Sequence, residues 1–133
     1  DIMMVQRIGY TPSQGDVVVL RKDSFLEEAI VKRIIAIAGQ EVEIDYDQNV
    51  VYVDGVMLEE PYINQEDEDV MIERNGMVYR EFIVPEHCIF VMGDNRNGST
   101  DSRYGELGMV DTGYVLGRVL CIAFPFNHIQ SLL

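Results

Sequence analysis

Hydrophobic residues fall along this chain in short runs of strand length, with polar turns between them. The runs span Asp16–Arg21, Glu28–Ala38, Glu41–Tyr46, Val50–Val53, Val56–Leu58, Met77–Val84, Ile89–Met92 and Tyr114–Phe124. Valine, isoleucine and tyrosine dominate them, the side chains that suit a pleated, half-buried surface. Asp54-Gly55 separates Val50-Val51-Tyr52-Val53 from Val56-Met57-Leu58, a strong signal for a two-residue hairpin, and Asn75-Gly76 is a second. Glycine and proline punctuate the chain too often for long helices, and no stretch keeps a 3.6-residue period over about eleven positions. The pattern predicts a mostly β protein of antiparallel sheets with few short helices.

Two interruptions of this pattern carry candidate chemistry. The first lies inside an apolar run, where Lys32 and Arg33 stand between Ala29-Ile30-Val31 and Ile34-Ile35-Ala36-Ile37-Ala38. Neighbouring strand residues point to opposite faces, so the two cations cannot share the same solvent. A buried arginine stays charged and needs a carboxylate partner. A buried lysine can instead lose its proton. A fall of about three units from ~10.4 makes it a usable base near neutral pH and costs on the order of 4 kcal/mol. Surrounding Ile, Val and Ala can impose that desolvation; the alternative is a lysine that snorkels to water from a strand edge.

The second interruption is Gly93-Asp94-Asn95-Arg96-Asn97-Gly98-Ser99-Thr100-Asp101-Ser102-Arg103, directly after the apolar Cys88-Ile89-Phe90-Val91-Met92. A polar segment here is plainly readable as a solvated loop. Its acids and bases alternate in sign, however. Asp94 with Arg96, and Asp101 with Arg103, can pair and hold a rigid loop whose hydroxyls point at a target.

Together these segments resemble the type I signal peptidases, membrane-anchored serine proteases with a Ser–Lys dyad. Gly15-Asp16-Val17-Val18-Val19 is similar to the family's strand after the nucleophile region, and Lys32-Arg33 followed by Gly39 to its general-base segment. Residues 93–103 fill every fixed position of its Gly-Asp-Asn-Arg-x-x-Ser-x-Asp-Ser-Arg box. Ala36, Ala38 and Gln40 depart from the family's Gly, Pro and Asp in the turn after the base strand.

The resemblance spans nearly the whole chain and implies antiparallel sheets forming a partly open barrel of the signal-peptidase type. Residues 1–133 then form one extracytoplasmic catalytic domain, with a core of 1–38 and 85–124 and a hairpin-rich insertion at 39–84. It implies that Lys32 is the general base and that Ser99 hydrogen-bonds and orients its amine. Asp94 would pair with Arg33, while Asp101, Ser102 and Arg103 brace the same loop. Ile30 and Val31 match positions lining pockets for small residues of the substrate, implying Ala-x-Ala signal peptides of secreted preproteins as partners. No metal and no cofactor is implied.

The family's Ser-x-x-Pro-Thr nucleophile motif has no counterpart at Ser13, Ser24, Ser99, Ser102 or Ser131. Asp1-Ile2-Met3-Met4-Val5 is similar to the segment just after that motif. The expectation is a soluble, inactive fragment whose parent carries the serine, preceded by a transmembrane helix that holds it at the cell membrane. Ser13 is the sole internal substitute, and its Pro12 and Gly15 neighbours read as an ordinary turn.

Composition bounds the alternatives. The 133 residues are 47% hydrophobic, enough for one domain with a modest core. No run approaches the ~18 apolar residues of a membrane span. A net charge of −13 argues against nucleic acid as a partner, since phosphate is repelled. The acidic run Glu66-Asp67-Glu68-Asp69, with Glu59 and Glu60 nearby, lacks the spacing of a calcium loop and reads as solvated. Cys88 and Cys121 lie in apolar runs and read as buried thiols, and His87 and His128 are too isolated for a ligand pair. Two rival functions remain: another Ser–Lys peptidase, of the self-cleaving repressor or organelle processing type, and a non-catalytic β module that binds extended peptides.

Overall fold

A computed structural model of the chain describes residues 3–6, 9–21, 29–59, 77, 80–94, 101–105 and 107–122. Within them lie β1 (Met3–Gln6), β2 (Val17–Leu20), β3 (Ile30–Ile37), β4 (Glu41–Asp45), β5 (Val50–Val53), β6 (Val56–Met57), β7 (Glu81–Ile83), β8 (Cys88–Met92), β9 (Val110–Asp111) and β10 (Val115–Ile122). A single 3-10 turn, Thr112–Tyr114, is the only helical element among the described residues.

The strands form two antiparallel sheets, one of six in the order β1-β10-β2-β3-β8-β9 and one of four in the order β6-β5-β4-β7, and neither closes into a barrel. The large sheet draws on both ends of the chain, while the small one is built from the consecutive hairpins β4-β5-β6, with β7 added along β4. Asp54 and Gly55 join β5 to β6 with φ of +52° and +78°. Two left-handed residues in succession make the turn whose twist matches the flanking strands. The Asp54 carboxylate then accepts the Glu41 backbone N–H at 2.8 Å, tying the turn to β4.

Two features depart from the apolar pattern. Among the described residues of the run Met77–Val84, Glu81–Ile83 form a strand and Met77 makes an isolated bridge to Tyr104. β9 is only two residues long and carries no periodic signal; it exists because Cys88 and Ile89 offer it an edge. The Asn75-Gly76 hairpin lies outside the described residues. Cys88 is half-buried rather than buried.

Strand alternation sorts the core into layers. One cluster fills the space between the sheets, with Ile35, Ala36, Phe90 and Met92 of the large sheet meeting Val42, Ile44, Val51 and Val53 of the small one. A register shift between Ile34 and Ala36 lets Ile35 and Ala36 both contribute to it. Val18, Leu20, Ile34, Ile89, Val91, Leu107 and Val110 form a second cluster on the opposite face of the large sheet. Fully burying each such aliphatic side chain contributes roughly 1.5–3 kcal/mol, and this second face also carries Lys32.

Candidate active site

β3 lies between β2 and β8, and its pairing decides where its two cations point. Lys32 is opposite Val18, on the face shared with Ile30 and Ile34. Only 6% of it is exposed. Burial among aliphatic side chains holds its amine below the usual lysine value of 10.5. The Asp101 carboxylate pulls back upward, the Arg103 guanidinium adds to the fall, and Asp94 pulls upward again. Desolvation is the largest of these influences, so the amine gives up its proton more readily than an ordinary lysine does.

Arg33 takes the opposite face. Its Nε and Nη2 donate to the two oxygens of Asp94 at 2.9 and 2.8 Å, and its Nη1 donates to the Gly15 carbonyl at 3.0 Å. The fork-on-fork pair suits a guanidinium that cannot shed its charge. Asp94 is buried and sits just past the end of β8, so one long-range ion pair fixes the start of the polar loop to β3.

The far end of that loop is anchored as firmly. Asp101 and Arg103 are both wholly buried. One Asp101 oxygen accepts Arg103 N and Nε at 3.1 and 2.8 Å; the other accepts Arg103 Nη2 and Gly93 N, each at 2.9 Å. Ser102 extends the edge of β8, donating its N–H to the Val91 carbonyl and accepting the Val91 N–H on Oγ, both at 3.0 Å. Its hydroxyl is therefore engaged with the strand.

The structure thus brings Lys32, Asp94, Asp101 and Arg103 into one electrostatic neighbourhood. Asp94 spends both oxygens on Arg33. Arg96 and Ser99 lie outside the described residues. Ile30 is half-buried on the Lys32 face, whereas Val31, 7% exposed, packs with Val17, Val19 and Val119 on the other. Ser13 is exposed in a turn, where its N–H caps the Asp16 carboxylate at 3.2 Å.

One polar group escaped the sequence reading. Tyr10 donates to Asp16 at 2.7 Å, and Arg118 Nε lies 3.6 Å from the other Asp16 oxygen. Its members come from a loop, a strand entry and β10, so no local spacing announces them; the lone acid before an apolar strand was the available hint. Elsewhere, Glu43, Asp45, Asp47, Glu81 and Arg80 line a cleft of about 310 Å³ on the small sheet. No group of three or more His, Cys, Asp or Glu among the described residues is placed to hold a metal ion. Nor is any described helix long and apolar enough to cross a membrane.

Comparisons with known proteins give the family. Signal peptidase I of Bacillus licheniformis is 38% identical over 121 residues, covering 89% of this chain and 62% of that protein. Signal peptidase I S of Bacillus subtilis is 36% identical over 136 residues, covering 97% and 68%. A probable signal peptidase I-1 of Synechocystis is 33% identical over 138 residues, covering 96% and 64%. The chain therefore spans about two thirds of the length of these curated relatives. The crystal structure of a signal peptidase I from Enterococcus faecalis superposes with a TM-score of 0.63 at 29% identity, covering 82% of this chain and 97% of that one. Residues 1–124 match the family described as signal peptidase, peptidase S26, and with that extent of agreement the chain belongs to it.

Proposed function

We propose that this chain is the catalytic portion of a signal peptidase I, a serine endopeptidase that removes signal peptides from secreted preproteins. The observation that carries the reading is Lys32, a strand lysine with a lowered pKa, buried beside a polar loop that is anchored at both ends. Its nucleophile is a serine in residues that precede Asp1 in a longer parent, which a membrane helix holds on the extracytoplasmic side. Residues 1–38 and 85–124 act as the catalytic core and 39–84 as an insertion within one domain.

The neutral Lys32 amine takes the proton of the serine hydroxyl as the oxygen attacks the scissile carbonyl. The resulting ammonium returns the proton to the leaving amine. Water, deprotonated in turn by Lys32, then hydrolyses the acyl-enzyme. Ser99 accepts a hydrogen bond from the ammonium or donates one to the neutral amine, fixing its rotamer. The Asp94–Arg33 and Asp101–Arg103 pairs support this by holding both ends of the segment that carries Ser99. Ile30 and Val31 wall pockets that admit Ala and exclude larger groups, giving the Ala-x-Ala preference.

The test uses the chain extended upstream to include its serine, assayed on a preprotein with an Ala-x-Ala site. Cleavage is expected, with Lys32→Ala abolishing turnover and Ser99→Ala slowing it strongly. The 133-residue chain by itself is expected to show none. Full activity in Lys32→Ala would overturn the base assignment, and cleavage by the shorter chain would overturn the upstream serine.

A further inference from the structure

The proton transfer makes no use of a second polar unit on the Lys32 side of the large sheet. Asp16 stands at the entry to β2. Its carboxylate is held by the Tyr10 hydroxyl at 2.7 Å, the Ser13 N–H at 3.2 Å and Arg118 Nε at 3.6 Å. The backbone at the same place grips β3: the Asp16 carbonyl accepts Ile34 N at 2.7 Å, and Gly15 N donates to the Ile34 carbonyl at 2.8 Å. The Gly15 carbonyl receives Arg33 Nη1.

Register places Arg118 opposite Val18 and Val18 opposite Lys32, so the two cations share one face and one row across β10, β2 and β3. The Tyr10 ring packs on the apolar cluster that this face covers. Burial and the Asp16 carboxylate push its hydroxyl well above the usual tyrosine range, so it remains a donor at any physiological pH.

We propose that Asp16 is a positioning residue for the peptidase reaction, fixed by Tyr10 and Arg118 and acting through the Gly15 carbonyl on Arg33, and through Arg33 on Asp94 and the loop that carries Ser99. The claim rests on the Lys32 peptidase reading. Its physical basis is that Asp94 alone lets the ion pair pivot, whereas the Gly15 carbonyl is a third point that sets the plane of the guanidinium. A misplacement of about 1 Å in a catalytic constellation can slow a reaction as much as about 100-fold.

The test compares Tyr10→Phe and Asp16→Asn with the unaltered protein in two arms. In the serine-containing parent, kcat should fall roughly 5- to 20-fold with KM within about twofold, the signature of a lost transition-state arrangement rather than lost binding. In the 133-residue chain, solvent exchange of the Arg33 Nε–H, followed by NMR, should quicken several-fold while Tyr10→Phe leaves the fold intact. Asp16→Glu, which keeps the charge, should recover part of the rate. If the parent cleaves through Lys32 and both variants keep full kcat and unchanged Arg33 exchange, the positioning role is overturned. If the parent does not depend on Lys32, the peptidase reading fails instead, and the exchange arm still decides whether Asp16 steadies Arg33. Should Asp16→Asn fail to fold, Tyr10→Phe carries both arms.

Discussion

Replacing Asp101 by asparagine strikes the most deeply buried charge pair among the described residues. The carboxylate accepts four hydrogen bonds, three from Arg103 and one from Gly93, at a site where both partners have no exposure. An amide keeps the shape but turns one oxygen into a donor that faces two donors, and it takes away the negative charge that Arg103 Nε and Nη2 meet. Breaking a buried pair in this way costs about 3–5 kcal/mol. A domain of this size has a total stability of about 5–15 kcal/mol, so about a fifth or more is lost. Near the melting point that corresponds to a fall of roughly 10–20 °C. Urea unfolding followed by circular dichroism measures it, with an unchanged m-value as the check that only stability moved. Losing the Asp101 charge also removes the strongest upward pull on Lys32, so the amine should titrate lower still. Replacing both partners, Asp101→Leu with Arg103→Met, should recover most of the loss, because no orphaned charge remains. A single-variant cost under about 1 kcal/mol, or a Lys32 that titrates higher, would refute the reasoning.

Three further outcomes follow from particular contacts. Because the Lys32 amine titrates below 10.5 in the folded chain, the unfolded chain binds the extra proton between the folded value and 10.5, and stability should rise with pH across that window. Lys32→Met should flatten the rise when unfolding is measured below pH ~9, where Tyr10 still holds its proton in both states; equal slopes contradict it. Asp54→Ala removes the bond to Glu41 and puts an ill-suited residue at φ +52°, so it should cost about 1–2 kcal/mol, while Asp54→Asn recovers most of this; equal losses in both would contradict the turn argument. Glu43 and Glu81 face each other directly across β4 and β7, so Glu81→Lys should stabilise by roughly 0.5 kcal/mol in low salt and less in high salt; a salt-independent change would show that charge is not the cause.

The sequence carried the sheet content because side-chain shape and turn chemistry act locally. Asp54-Gly55 announces its hairpin, and the apolar runs announce β2, β3, β5 and β8. What local pattern could not carry was anything decided by a neighbour far along the chain. β9 needs the open edge of β8. The same divide applies to the site. Alternation alone shows that Lys32 and Arg33 part company, and it demands a carboxylate for a buried arginine. It does not choose between Arg96 and Arg33 as the partner of Asp94; that pairing joins residues 61 apart and was supplied by resemblance. The Tyr10–Asp16–Arg118 group, assembled from three elements, left no readable spacing at all.

The ionisation of Lys32 decides the matter most directly. Its Nζ and Cε resonances can be followed by NMR across a pH series in the folded 133-residue chain, with Lys22, the one other lysine, as the internal reference. A midpoint well below 10.5 is expected for Lys32, moving lower again in Asp101→Asn. A midpoint at or above the ordinary lysine value would mean that the amine stays charged, and a base that stays charged cannot accept the serine's proton.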